Sequence, residues 1–321
     1  MDVYKDTLRY LLEIPTVSTW EDIPHLLQKM AVQRPYDWRL PLLAAEAVGA
    51  PAEQALPAAA AVACLQISII LVDDLLDEEP QGEHRRRGAP AVANLALAFQ
   101  AAGLEAIARG DAPLPVQWAV LRRINQMAFV TAWGQHLDVE TPQDEDAYWH
   151  LVRTKSTPFF EAALYAGAML GGATLQTASQ IARFGHLYGE LIQIQDDMHD
   201  TMATPADPDW VLGRAPLPIL YAEVVAHPQR ARFKQLRQAL PDPDALAEAQ
   251  TILLRSGAIS YCVDQFLQRY RRAQTLLAGL SVPAPEPLAQ MLSPLLAPIQ
   301  DLFAQVGVQE PLLPWPEGYG S

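Results

Sequence analysis

Two short stretches of this chain carry more carboxylate than their apolar surroundings would suggest. LVDDLLD, residues 71–77, sets Asp73, Asp74 and Asp77 at the end of the apolar run LQISIILV, and QIQDDMHD, residues 193–200, repeats the spacing with Asp196, Asp197 and Asp200. On a helix the first and last aspartate of each set share a face one turn apart, where like charges repel. A solvated helix end tolerates one such cluster. Two copies, each after an apolar approach, point instead to cations held between the carboxylates. Hard oxygen ligands of this kind suit Mg²⁺, which keeps some of its water and is usually completed by substrate phosphates.

Six aspartates also need basic groups to grip the same anion. The chain offers Arg85, Arg86 and Arg87 just after the first motif, Lys155 in RTKSTPFF, and Arg214 after the second motif. Arginine forks match phosphate oxygens bidentately, and lysine adds a compact charge. The ligand expected from these residues is a diphosphate held through metal.

The elements that must position these groups read as helix after helix. Periodicity or long apolar runs predict helices over 2–14, 21–31, 38–49, 53–77, 90–109, 114–137, 144–170, 174–201, 214–225, 228–240, 243–255, 256–279 and 285–305, with Pro or Gly at the joints. No alternating pattern of strand length is present. Two polar, Pro-containing loops, 78–90 and 201–218, each follow an aspartate motif, where ligand-binding residues tend to be found.

Composition bounds the remaining possibilities. With 321 residues, 50% of them hydrophobic, the chain can bury a large core. A formal charge of −14 argues against nucleic-acid binding. Cys64 and Cys262 cannot make a disulfide framework and read as buried core thiols. The run Ala58 to Val72 reads as too short for a membrane span, and the amphipathic, mixed-charge N-terminus is wrong for a secretory signal. The expectation is a soluble cytoplasmic protein.

DDLLD with RRG at 86–88, GQHLD at 134–138, KST at 155–157, QIQDD at 193–197 with Asp200, and LGRAPLP at 212–218 together resemble the trans-isoprenyl diphosphate synthase (polyprenyl synthetase) family. The resemblance implies an all-α isoprenoid synthase bundle around a central active-site cavity, a single domain over residues 1–308, and a homodimer; residues 309–321 read from the sequence itself as a loose tail. The resemblance also implies three Mg²⁺ ions bridging the aspartate motifs to an allylic diphosphate, whose departure leaves a carbocation in a dry cavity. Carried over by position, Asp73, Asp77 and Asp196 are the direct metal ligands, with Asp74, Asp197 and Asp200 completing the clusters. Arg86, Lys155 and Arg214 would hold the allylic diphosphate, with Gln193 near the metals and Gln135 and Asp138 lining the cavity. Phe159, Phe160, Tyr165 and Tyr188 are candidates to shield a cation with their ring faces.

The pattern departs from the family where the second substrate, isopentenyl diphosphate, would bind. QRPYDWRLP, residues 33–41, keeps Arg34 in register and displaces Arg39, while Gln66 stands where a histidine is expected; Arg87 is the clearest cation that remains. Ser68 and Ile69, before the first aspartate, are not aromatic, which favours a product of C20 or longer. Three functions follow: prenyl transfer by an isoprenyl diphosphate synthase, cyclisation by a class I terpene cyclase on the same fold, or a non-catalytic partner subunit of a synthase.

Overall fold

The structure is a computed structural model that describes residues 1–138 and 141–305, with side chains to residue 300; the expected tail 309–321 lies outside the described residues. Within them every regular element is helical. The first part of the chain forms α1 (Val3–Leu12), α2 (Pro15–Thr19), α3 (Asp22–Gln33), α4 (Leu40–Ala47) and the long α5 (Leu56–Leu76). A single turn, α6 (His84–Arg87), leads to α7 (Ala89–Ala108) and α8 (Leu114–Asp138). Then come α9 (Glu145–Lys155), α10 (Thr157–Leu170), α11 (Leu175–Met202), the turn α12 (Pro208–Val211) and α13 (Leu217–Val224). The chain closes with α14 (Arg230–Arg237), α15 (Pro243–Ser256), α16 (Ala258–Ala278) and α17 (Glu286–Gln305).

The apolar character of α5 follows from its position. It packs against α7, α1, α10 and α4, so Ala58 through Ala61 are fully buried and no polar stripe is needed over most of its length. At 21 residues, about 31 Å at 1.5 Å per residue, α5 is as long as a bilayer core is thick. Length therefore does not exclude a span, contrary to the reading of 58–72; packing against its neighbours is what accounts for its composition. The acidic end of α5 and that of α11 are brought together through α10, which packs closely on α11 and also contacts α5. Gly185 allows that approach, because a Cβ there would lie 2.7 Å from the carbonyl oxygen of Phe160.

One predicted helix is divided. The expected run 144–170 breaks at Ser156 into α9 and α10, since Pro158 sits in the first turn of α10, lacks an N–H, and disfavours helical backbone before it. The break matters for chemistry, because it turns Lys155 and Ser156 toward the cavity between α5 and α11. Short elements also fall wholly or partly outside the predicted helices: α2, α6, α12 and the 3₁₀ turn Tyr36–Arg39, which carries Asp37 and Trp38.

Candidate active site

The C-terminal ends of α5 and α11 face one another across a cavity of about 460 Å³. Asp73 and Asp77 line it from α5, and Asp196 and Asp200 line it from α11, so each motif presents its first and last aspartate as the helical period requires. The middle residues point elsewhere. Asp74 does not line the cavity, and burial, then Glu79 and Asp73, push its carboxyl above the ordinary range. Asp197 is buried with every hydrogen bond to protein: Tyr148 Oη and the Leu217 N–H donate to Oδ2 at 2.6 and 2.7 Å, and Gln193 Nε2 donates to Oδ1 at 2.8 Å. These bonds fix Gln193 and the start of α13, and Asp197 is not among the residues that line the cavity. Gln193 Oε1 accepts in turn from Ser156 Oγ at 2.6 Å at the break between α9 and α10.

Two cations stand among these carboxylates. Lys155 Nζ lies 2.5 Å from Asp138 Oδ2 and 3.5 Å from Asp73 Oδ1. Burial opposes its charge, but Asp73 and Asp138 outweigh that, so its pKa is raised. Arg214 pairs with Asp77 and lies 3.6 Å from Asp138 and 3.5 Å from Asp209; its position is fixed by Arg237, which donates to the Arg214 carbonyl at 2.6 Å. Gln135 Nε2 donates to Asp73 Oδ1 at 2.9 Å, leaving its buried Oε1 without a partner among the described residues. Gly134 beside it makes the arrangement possible, since a Cβ there would come within 2.4 Å of the Lys155 nitrogen.

The charge balance of the cavity is unfavourable to the protein alone. Asp196 is pushed up to about 7, first by burial and then by Asp200 and Asp197, and Asp200 is raised by burial and Asp207. Two loop acids that the sequence reading passed over, Asp207 and Asp209, add to the same wall. Burial raises Asp209 to about 7 despite Arg214. Among the described residues no three acidic or histidine side chains are already gathered tightly enough to be a preformed metal cluster. Hard oxygens with uncompensated charge on two facing arms nevertheless fit Mg²⁺ that arrives together with an anionic ligand.

The sequence over residues 38–253 matches the polyprenyl synthetase family. The chain belongs to that family. Among its relatives, a geranylgeranyl diphosphate synthase of Methanosarcina mazei is 31% identical over 54% of this chain, an alignment that spans 55%, about half, of that protein. A short chain isoprenyl diphosphate synthase of Methanothermobacter thermautotrophicus is 28% identical over 75% of this chain and 78% of its own. The all-α fold is that of a solved geranylgeranyl pyrophosphate synthetase of Pyrococcus horikoshii, with a TM-score of 0.80 at 19% identity over 91% of this chain and 95% of that one. A polyprenyl synthase of Caulobacter crescentus, solved with calcium and isoprenyl diphosphate, superposes with a TM-score of 0.76 at 20% identity, covering 90% of this chain and 91% of its own.

Against the polyprenyl synthetase pattern, the remaining candidate residues fall in three places. Arg86 and Arg87 are not among the residues that line the cavity: both bond the buried Glu83, Arg86 Nη2 at 2.5 Å and Arg87 Nε at 2.9 Å, and Arg87 also pairs with Asp22. Lys29 completes this knot, and although burial works against it, the three cations hold the Glu83 carboxyl down at about 2. Arg34 and Arg39 line a separate surface hollow and stack over Tyr4 and Tyr36. Arg34 ends α3 in the left-handed region at φ 52°. Gln66 does line the aspartate cavity, bonded to Asp37 and Trp38. Ser68 and Ile69 line a slot of about 100 Å³ between α5, α7 and α8, which Ile69 and Gln135 share with the main cavity. Ser68 Oγ donates to the Ala96 carbonyl at 2.9 Å. Phe159 and Phe160 line the cavity, Tyr188 packs on Phe160, and Tyr165 lies under Arg123 instead.

Proposed function

We propose that this chain is a Mg²⁺-dependent enzyme that ionises an allylic isoprenyl diphosphate and transfers the prenyl group, in the manner of an isoprenyl diphosphate synthase. The observation that carries this is the pair of facing arms, Asp73 with Asp77 and Asp196 with Asp200, on one cavity that also holds Lys155 and Arg214. Asp73, Asp77, Asp196 and Asp200 would hold the metal ions, three by family resemblance, and bound Mg²⁺ would supply Lewis-acid stabilisation of the leaving diphosphate. Lys155 and Arg214 would exchange their present carboxylate partners for phosphate oxygens and draw charge off the breaking C–O bond. Asp138, which lines the neighbouring pocket and not the aspartate cavity itself, lies 2.5 Å from Lys155 and 3.6 Å from Arg214 and holds both cations beside the cavity. Ile69, Ile70, Phe159, Phe160 and Ile192 form the apolar part of the wall, which excludes water from the carbocation. Support comes also from the Caulobacter synthase of the same fold, solved with calcium and isoprenyl diphosphate.

The slot beneath Ser68 and Ile69 supports a chain of C20 or longer. We propose a single domain that works as a homodimer. The outward faces of α7 and α8, where Leu97, Trp118 and Phe129 are exposed, offer the apolar surface for a second copy, and molar mass in solution tests this.

A second reading is favoured by one specific observation. Of the residues that line the cavity, Lys155 and Arg214 are the basic ones, and both are already matched by aspartates, while Arg34, Arg39 and Arg87 are engaged elsewhere. A second diphosphate would find few cations, so the carbocation could be quenched internally, as in a class I terpene cyclase, or by another acceptor. Incubation with Mg²⁺ and farnesyl or geranylgeranyl diphosphate, with and without isopentenyl diphosphate, separates the two. Longer diphosphates formed only with isopentenyl diphosphate support chain elongation; a hydrocarbon or alcohol formed without it supports the cyclase.

A further inference from the structure

One carboxyl group in the cavity belongs to neither aspartate arm. Asp37, on the 3₁₀ turn before α4, lines the wall beside Gln66, and no arginine, lysine or histidine among the described residues pairs with it. Its side-chain partner is the Gln66 amide, which donates from Nε2 to Oδ2 at 2.5 Å. The orientation of that amide is fixed from behind. The indole N–H of the fully buried Trp38 can only donate, and it does so to Gln66 Oε1 at 2.9 Å, so the NH₂ group must face Asp37. Oδ1 of Asp37 takes no hydrogen bond among the described residues. Gln66 stands seven residues before Asp73 on α5, about 10 Å deeper along the helix at 1.5 Å per residue. The same wall is otherwise apolar, with Ile69, Ile70 and Phe160.

A half-buried acid with no counter-cation beside the apolar part of the wall is costly. The chemistry of the cavity supplies a use. Whatever becomes of the allylic carbocation, a neutral alkene forms only when a proton leaves.

We propose that Asp37 is a catalytic residue of this chain, the carboxylate that accepts the proton lost when the carbocation is converted to an alkene. The proposal rests on the ionisation reading above. In that step the C–O bond to diphosphate has already broken, its electron pair leaving with diphosphate. A C–H bond next to the cationic carbon then breaks, in the ionised chain or in the adduct formed with a second alkene. Its electron pair becomes the new C=C bond and its proton goes to Oδ1 of Asp37, turning carboxylate and cation into carboxylic acid and alkene. The proton passes to water when the product leaves. Gln66 holds the carboxylate in place through Oδ2, and burial, which raises the Asp37 pKa to about 6, makes it a stronger base than an exposed aspartate while leaving it ionised at neutral pH. Tyr36, Tyr188 and Asp196 are the other titratable groups near enough to feel its charge or be felt by it.

The test uses the full chain with Mg²⁺ and geranylgeranyl diphosphate, with and without isopentenyl diphosphate, and reads two quantities: diphosphate released and organic product formed. Asp37→Asn is expected to keep diphosphate release within about threefold while the deprotonated product falls about a hundredfold, with water captured as an alcohol in its place. Asp37→Glu moves the carboxylate by one carbon and is expected to change the ratio of double-bond isomers. The same product at the same rate from Asp37→Asn overturns the proposal, as does an unchanged isomer ratio from Asp37→Glu. Absence of diphosphate release from the unsubstituted enzyme is a different failure, of the ionisation reading itself, and takes the proposal with it.

Discussion

Asp37 makes a prediction about stability that is separate from its proposed chemistry. Burial raises its pKa from the ordinary 3.8 to about 6 in the folded chain. At 1.36 kcal/mol per tenfold change in proton affinity, that gap corresponds to about 3 kcal/mol. The sign is unfavourable at neutral pH. An acid with a raised folded pKa binds its proton more tightly folded than unfolded, so stability falls as pH rises from 3.8 through 6, and the full cost is present above 6. Asp37→Asn removes the charge and leaves an isosteric group beside Gln66. After allowance for water that reaches the cavity, the gain at pH 8 is expected to be about 2 kcal/mol, or roughly 3 °C in Tm for a chain of this size. The same substitution should give about half that gain at pH 5 and little near pH 4, where the unsubstituted residue is itself protonated in the fold. Thermal unfolding of both proteins across that range measures it. An Asn variant no more stable at pH 8, or a difference that does not change with pH, would refute the assignment of Asp37 to an unpaired, desolvated site. A gain in stability together with a loss of product would mark a residue kept for function at the expense of the fold.

Other consequences follow from named contacts. Glu190 is buried and bonded to Arg269 at 2.8 Å and Arg153 at 2.9 Å, with Arg269 lying over the Trp149 ring, so Glu190→Ala should strand a buried guanidinium and cost about 3–5 kcal/mol in denaturant unfolding. Gly134→Ala would push a Cβ into the backbone at Lys155; the expected result is a loss of about 1–3 kcal/mol in stability and a raised KM for the allylic diphosphate, checked by unfolding and steady-state kinetics. On the proposed function Lys155→Gln removes a charged contact to diphosphate, and kcat/KM should fall about ten- to a hundredfold for about 1.5–3 kcal/mol of lost interaction, while loss of the cation paired with Asp138 and Asp73 should also lower the Tm.

Much of the site could be read in the sequence because helical period carries it. Spacing four apart put Asp73 with Asp77 and Asp196 with Asp200 on cavity-facing sides. The same period, applied to Asp74 and Asp197 one position on and about 100° around the helix, would have turned them away. Arg86 and Arg87 were assigned to phosphate by their position in the motif, although Glu83 stands three and four residues earlier, a spacing that pairs charges on one turn. Asp37 lay beyond the reach of periodicity, because a 3₁₀ turn of four residues has a different rotation per residue and its partners come from α5. The division at Ser156 was signalled by Pro158, but the continuous apolar pattern around it outweighed that signal.

The central claim is that the two aspartate arms ionise an allylic diphosphate with Mg²⁺, and diphosphate release from geranylgeranyl diphosphate tests it most directly. Release that requires Mg²⁺, stops on chelation, and is lost in both Asp73→Ala and Asp196→Ala is the result expected. Release that survives chelation, or that either substitution leaves intact, would contradict it.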